Sequence, residues 1–127
     1  MSQLILQIAA GYGGAGSVAG TSDVVPYWIS VANDQGKPAT GLSNNFTVKT
    51  LQTPPGPPEE VEFGWDWAPE NWPGFYEANI LPKDGKTWRK GVYMLAITVS
   101  KVTFGSLYPP KILGTDNGQA LLRIIVN

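Results

Sequence analysis

Three tryptophans fall within eight residues, at Trp65, Trp67 and Trp72, beside Asp66, Glu70 and Asn71. These residue types suit two chemistries. Flat indole rings stack on pyranose faces while carboxylates and amides take the sugar hydroxyls. Trp rings are also the usual anchors of protein interfaces, where a few large aromatics carry most of the binding energy. A third reading is structural, with one or two of the rings closing one end of a β core, since Trp is mostly buried. The segment Phe63-Gly64-Trp65-Asp66-Trp67-Ala68-Pro69-Glu70-Asn71-Trp72 is therefore the candidate binding region.

Glu59, Glu60, Glu62, Asp66 and Glu70 add carboxylates nearby. Glycoside hydrolysis needs two at a fixed separation, and acids on a solvent face are common. No Asp-x-Asp-x-Asp-Gly loop offers a calcium site. The chain has no Cys and no His. Disulfides, thiolate zinc sites and thiol nucleophiles are excluded, and so are the commonest general base and metal ligand. No Ser-x-x-Lys spacing provides a Lys-activated hydroxyl. These observations point to a non-enzyme without metal or other cofactor.

Gly11-Tyr12-Gly13-Gly14-Ala15-Gly16 matches G-x-G-x-x-G, with Asp34 as the distant acid. A dinucleotide turn requires a helix directly after the glycines. Ser17-Val18-Ala19-Gly20-Thr21-Ser22-Asp23 is too short and too rich in Gly, Ser and Thr for one, and Pro26 would break it. A flexible loop between strands is the better account. Asn45-Phe46-Thr47 is a glycosylation sequon without a secretion signal to give it weight. Thr53-Pro54-Pro55-Gly56-Pro57-Pro58 is a polyproline ligand by composition and a stiff connection by context.

The elements that must carry these residues are strands. The most regular stretch runs from Trp88 to Val102, where Tyr93, Leu95, Ile97 and Val99 alternate with Met94, Ala96, Thr98 and Ser100. A period of two is the signature of a half-buried strand, and Gly91 supplies the turn before it. Similar alternation predicts strands over 3–10, 24–33, 45–52 and 75–82, and a last strand in which Leu122, Ile124 and Val126 face inward. A short edge strand is expected within Glu59–Trp67, with Val61, Phe63, Trp65 and Trp67 on one face. Asn33-Asp34-Gln35-Gly36, Pro82–Lys86 and Asp116-Asn117-Gly118 read as turns, and Ala68–Gly74 as a loop.

The sum is about seven strands in two antiparallel sheets, an all-β sandwich with no convincing helix. At 127 residues, 43% hydrophobic and 15% charged, residues 1–127 fit a single domain with a sufficient core. Gly 15 and Pro 11 favour a turn-rich chain. A net charge of -1 favours neither nucleic acid nor an anionic membrane. Met1–Ala10 lacks the basic start of a signal peptide, and no apolar run reaches membrane-spanning length. The default location is then the cytoplasm or a larger particle.

Val31-Ala32-Asn33-Asp34-Gln35-Gly36-Lys37-Pro38-Ala39-Thr40-Gly41-Leu42, followed by Phe46, resembles the strand–turn–strand of bacterial immunoglobulin-like modules. Gly74-Phe75-Tyr76, Trp88–Tyr93 with its alternating tail, and Gly118-Gln119 before the last strand resemble their later half. The resemblance implies an immunoglobulin-like β-sandwich. It also implies that the Tyr93 hydroxyl bonds to nearby backbone, as in a tyrosine corner. Ala39 stands where such modules usually have Val, the Pro-rich insertion with its Trp cluster is outside their pattern, and there is no cysteine pair. Such modules serve on cell surfaces, as enzyme spacers and in phage particles. The expectation is a non-catalytic interaction or structural module of a larger bacterial or phage assembly. Its partner is another protein or a second copy, and the alternative is a carbohydrate-binding module using Trp65, Trp67 and Trp72.

Overall fold

The structure, a computed structural model, describes residues 3–10, 18–56, 61–63, 68–105 and 112–127. The chain is all-β. Its strands are β1 (Ile5–Ala10), β2 (Val25–Ala32), β3 (Phe46–Gln52), β4 (Val61–Phe63), β5 (Ala68–Trp72), β6 (Phe75–Pro82), β7 (Gly91–Phe104) and β8 (Ile112–Val126). A 3-10 turn at Lys83–Gly85 is the sole helical element among the described residues. No helix there is long and apolar enough to cross a membrane.

The strands form two antiparallel sheets. One has the order β1-β2-β6-β4, with β5 also paired to β6, and the other has the order β3-β7-β8. Strict alternation decides which face each strand buries. Val25, Tyr27, Ile29 and Val31 of β2 are buried, as are Tyr76, Ala78 and Ile80 of β6. Tyr93, Leu95, Ile97 and Val99 of β7 and Leu122, Ile124 and Val126 of β8 are buried from the other sheet. All of these belong to one hydrophobic cluster, so both sheets turn their inner faces to the same core. Burying such apolar side chains contributes roughly 1.5–3 kcal/mol each before chain entropy is subtracted.

Two polar contacts hold the strand ends. The backbone N–H of Arg89 donates to the Tyr93 hydroxyl at 3.0 Å, the nearby-backbone contact expected of that tyrosine. Asn33 Oδ1 accepts from the N–H groups of Gln35 and Lys37, each at 2.9 Å, and Gly36 has φ 79°. That Asx turn brings Pro38 back to pair with Ala32.

Two sequence expectations are corrected. Ala68–Trp72 is strand β5, not part of a loop. Pro69 lies on an edge strand, and Pro73-Gly74 form the turn after it; β5 pairs with β6 at Ala68 and Trp72, with a register shift between them. Asp116-Asn117-Gly118 is not a turn: these residues sit inside β8, opposite Lys101, Ser100 and Val99. Asn117 serves there as a cross-strand anchor. Its Oδ1 accepts from Ser100 Oγ at 2.8 Å and its carbonyl accepts from the Leu4 N–H at 2.9 Å. Trp88 precedes β7, in keeping with the turn placed at Gly91, and packs as a buried core ring. Within the expected edge strand Glu59–Trp67, Val61–Phe63 forms β4, and the remaining positions lie outside the described residues. The Gly11–Gly16 motif also lies outside them.

Tyr27 is the one tyrosine whose buried hydroxyl finds no partner among the described residues. It is 1% exposed, and burial pushes its pKa up from 10.0 to about 12. An unpaired buried hydroxyl costs stability, so Tyr27→Phe is expected to stabilise the fold at neutral pH by about 1 kcal/mol. The wild type has a second, pH-dependent signature. Its folded state holds this proton more tightly than the unfolded chain, so stability is undiminished by this group below pH 10. It falls as pH rises from about 10 towards 12, by roughly 2 kcal/mol. Urea unfolding across that range should show a shallower alkaline decline in Tyr27→Phe. A less stable variant at neutral pH would contradict this.

Candidate functional site

The aromatic site is built on the outer face of the five-stranded sheet. On β2 the inward set includes Tyr27 and Ile29, so Trp28 between them points outward. On β6 the inward set starts at Tyr76, so Phe75 points outward. Trp72 ends β5 directly opposite Phe75. Trp72 and Phe75 flank one hairpin turn, and Trp28 joins them from a strand distant in the chain. The Trp28 and Trp72 centroids are 5.9 Å apart with planes tilted by 47°, and Trp72 meets Phe75 edge-on at 6.3 Å and 85°.

The tip of the β5–β6 hairpin sets this arrangement. Pro73-Gly74 is the residue pair that a type II turn favours, and Gly74 has φ 79°. The Gly74 carbonyl accepts from the Val31 N–H at 2.8 Å, tying the tip to β2. A Cβ at Gly74 would lie 2.7 Å from the Val31 carbonyl oxygen and 3.0 Å from Pro38 Cβ. Only glycine satisfies both the close approach and the left-handed φ. With Pro38 held by the Asx turn and Pro73 by the hairpin, the five apolar side chains Trp28, Pro38, Trp72, Pro73 and Phe75 line an open hollow of about 780 Å³.

This hollow is exposed. Trp72 is 61% and Phe75 44% accessible, which is unusual for large aromatics. Of the residues singled out from the sequence, Trp72 lies in the site. Glu70 and Asn71 belong to β5 by backbone. Trp65, Asp66 and Trp67 lie outside the described residues. Trp28, Pro38 and Phe75 are additional members. Trp28 carried a legible signal: a large aromatic at an outward position of an otherwise alternating strand.

The described residues contain no group of three Asp or Glu side chains arranged to hold a metal. Two other hollows differ in character. One of about 330 Å³ lies between β3 and β4, lined by Lys49, Thr50, Glu62 and Lys83 among others. The second, of about 400 Å³, lies over Gly118 and is lined by Gln3, Thr98, Ser100, Asn117 and Gln119. The first includes one ring, Phe63, and the second none among the described residues. Comparison of the chain with protein-family models, with characterised proteins and with solved structures finds no match.

Proposed function

We propose that this chain is a non-catalytic protein-interaction module of the immunoglobulin-like β-sandwich type, docking through the Trp28–Trp72–Phe75 face. The strand order supports the architecture. β4 and β5 lie in succession along the same side of β6, pairing with its later and earlier halves. Taken as one interrupted strand, they give the orders β1-β2-β6-β4/β5 and β3-β7-β8. These correspond to the A-B-E-D and C-F-G sheets of a constant-type immunoglobulin domain.

The exposed Trp72 ring in a wholly apolar hollow is the observation that carries the functional reading. Protein interfaces place such aromatics at their centres, where desolvation makes each worth 2 kcal/mol or more, as an order of magnitude. A sugar platform fits less well. A pyranose lies flat across coplanar rings, and these rings are inclined by 47° and 85°. Among the described residues, the lining of the hollow has no hydroxyl, amide or charged side chain for the sugar hydroxyls.

The test is paired retention. Immobilised wild type and a Trp28→Ala/Trp72→Ala double variant are exposed to the same lysate from the source cell, and to soluble glycans. The expected result is a protein held at least tenfold better by the wild type, with no glycan retained. Equal retention by both proteins, or a glycan held through these rings, would overturn the reading.

A further inference from the structure

We infer that copies of this chain stack head to tail, the aromatic face of one seated on the outer face of the β3-β7-β8 sheet of the next. This inference rests on the reading of the aromatic face as a protein-docking surface, and it names the occupant. Both sheets share one core, so their outer faces point away from each other. Each outer face carries exposed apolar side chains. The first carries Trp72 and Phe75. The second carries Leu121, 61% accessible, and Ile125, 43% accessible, with Val92 and Met94 half-buried beside them.

The charges on the two faces are opposite in sign. On the first sheet, Glu62 pairs across from Leu81 and Glu77 across from Trp28, both at outward positions. No Lys or Arg occupies an outward strand position there among the described residues. On the second sheet, Lys49 sits opposite Ala96 and Arg123 opposite Met94, again outward. No Asp or Glu occupies an outward strand position of that sheet among the described residues. A symmetric contact would set acid against acid or base against base, which is unfavourable at close range. The unlike contact sets Glu62 and Glu77 against Lys49 and Arg123 around two apolar centres. Because the two faces lie on opposite sides of the molecule, such a heterologous contact propagates rather than closing.

Sedimentation of the purified chain from low micromolar to millimolar concentration tests this. Two charge-reversed proteins accompany it: Glu62→Lys/Glu77→Lys and Lys49→Glu/Arg123→Glu. All four side chains lie on the sheet surface outside the core cluster, so the variants should fold. The wild-type average mass is expected to climb from 13.7 kDa past two copies as concentration rises, and to fall again with added salt. Each variant alone should stay monomeric, and an equimolar mixture of the two should regain assembly. A wild type that stays monomeric, one that stops at two copies, or variants that assemble unchanged would each overturn the inference. A monomeric wild type would leave the retention experiment, and with it the docking face, to be judged separately.

Discussion

Trp88→Ala is expected to lower the unfolding free energy by about 4 kcal/mol, the range for deleting a buried Trp. The ring is 1% exposed and meets Tyr93 edge-on at 5.0 Å and 84°. Its Nε1–H donates to the Asp23 carbonyl at 2.8 Å. Its backbone is clamped as well: the Trp88 N–H donates to the Thr21 carbonyl and the Gly20 N–H donates to the Trp88 carbonyl, each at 2.7 Å. The side chain thus fills the core and anchors the segment leading into β2. Trp88→Phe separates these roles. It keeps most of the burial but leaves the Asp23 carbonyl unmet, and should cost only about 1–2 kcal/mol. Urea unfolding measures both. A loss below about 1 kcal/mol for the alanine variant would contradict the packing described.

Tyr76→Phe is the second large effect, and it runs opposite to Tyr27→Phe. The Tyr76 hydroxyl donates to the Ala39 carbonyl at 2.7 Å and accepts from the Leu42 N–H at 3.2 Å. Both partners are buried, with Leu42 at 0% exposed. Removing one oxygen strands a buried carbonyl and a buried N–H together, a cost of about 2–4 kcal/mol. The ring itself remains, so its contact with Phe46 at 5.1 Å survives and isolates the hydroxyl's contribution. Two Tyr→Phe changes, both in the core, therefore shift stability in opposite directions, because one hydroxyl is bonded twice and the other is unpaired. Equal changes in the two variants would contradict this.

Period-two patterning made the strands legible wherever one face is buried. Val25 to Val31, Tyr76 to Ile80 and Tyr93 to Val99 were readable because each side chain's direction follows from the residue before it. Turn chemistry was legible at Asn33–Gly36, where the side-chain oxygen and the glycine act locally. It misled at Asp116-Asn117-Gly118. There, pairing along β7 overrides local preference, and the Asn117 groups bond across to Ser100 and Leu4 instead of bending the chain. It misled again at Ala68–Gly74, because an edge strand tolerates Pro69, with the register shifting between Ala68 and Trp72.

The site was only partly legible for a different reason. Trp72 was visible as one of a local cluster, whereas its neighbour Trp28 lies 5.9 Å away in space and in another strand of the chain. Nothing local in the sequence reports that β2 and β5 flank β6. The charge split between the two outer faces was hidden for the same reason. Glu62, Glu77, Lys49 and Arg123 look scattered until the registers sort them by sheet and face.

The most direct test of the docking face is the shift of individual Trp indole N–H resonances. The chain has five tryptophans. Trp88 is an internal control, since its indole is buried and bonded to Asp23. On titration with the protein retained by the wild type, the Trp28 and Trp72 indole signals should move while that of Trp88 stays in place. Soluble glycans should move none of them. Glycan-induced shifts at Trp28 and Trp72, or a bound protein that leaves both signals unchanged, would contradict the account.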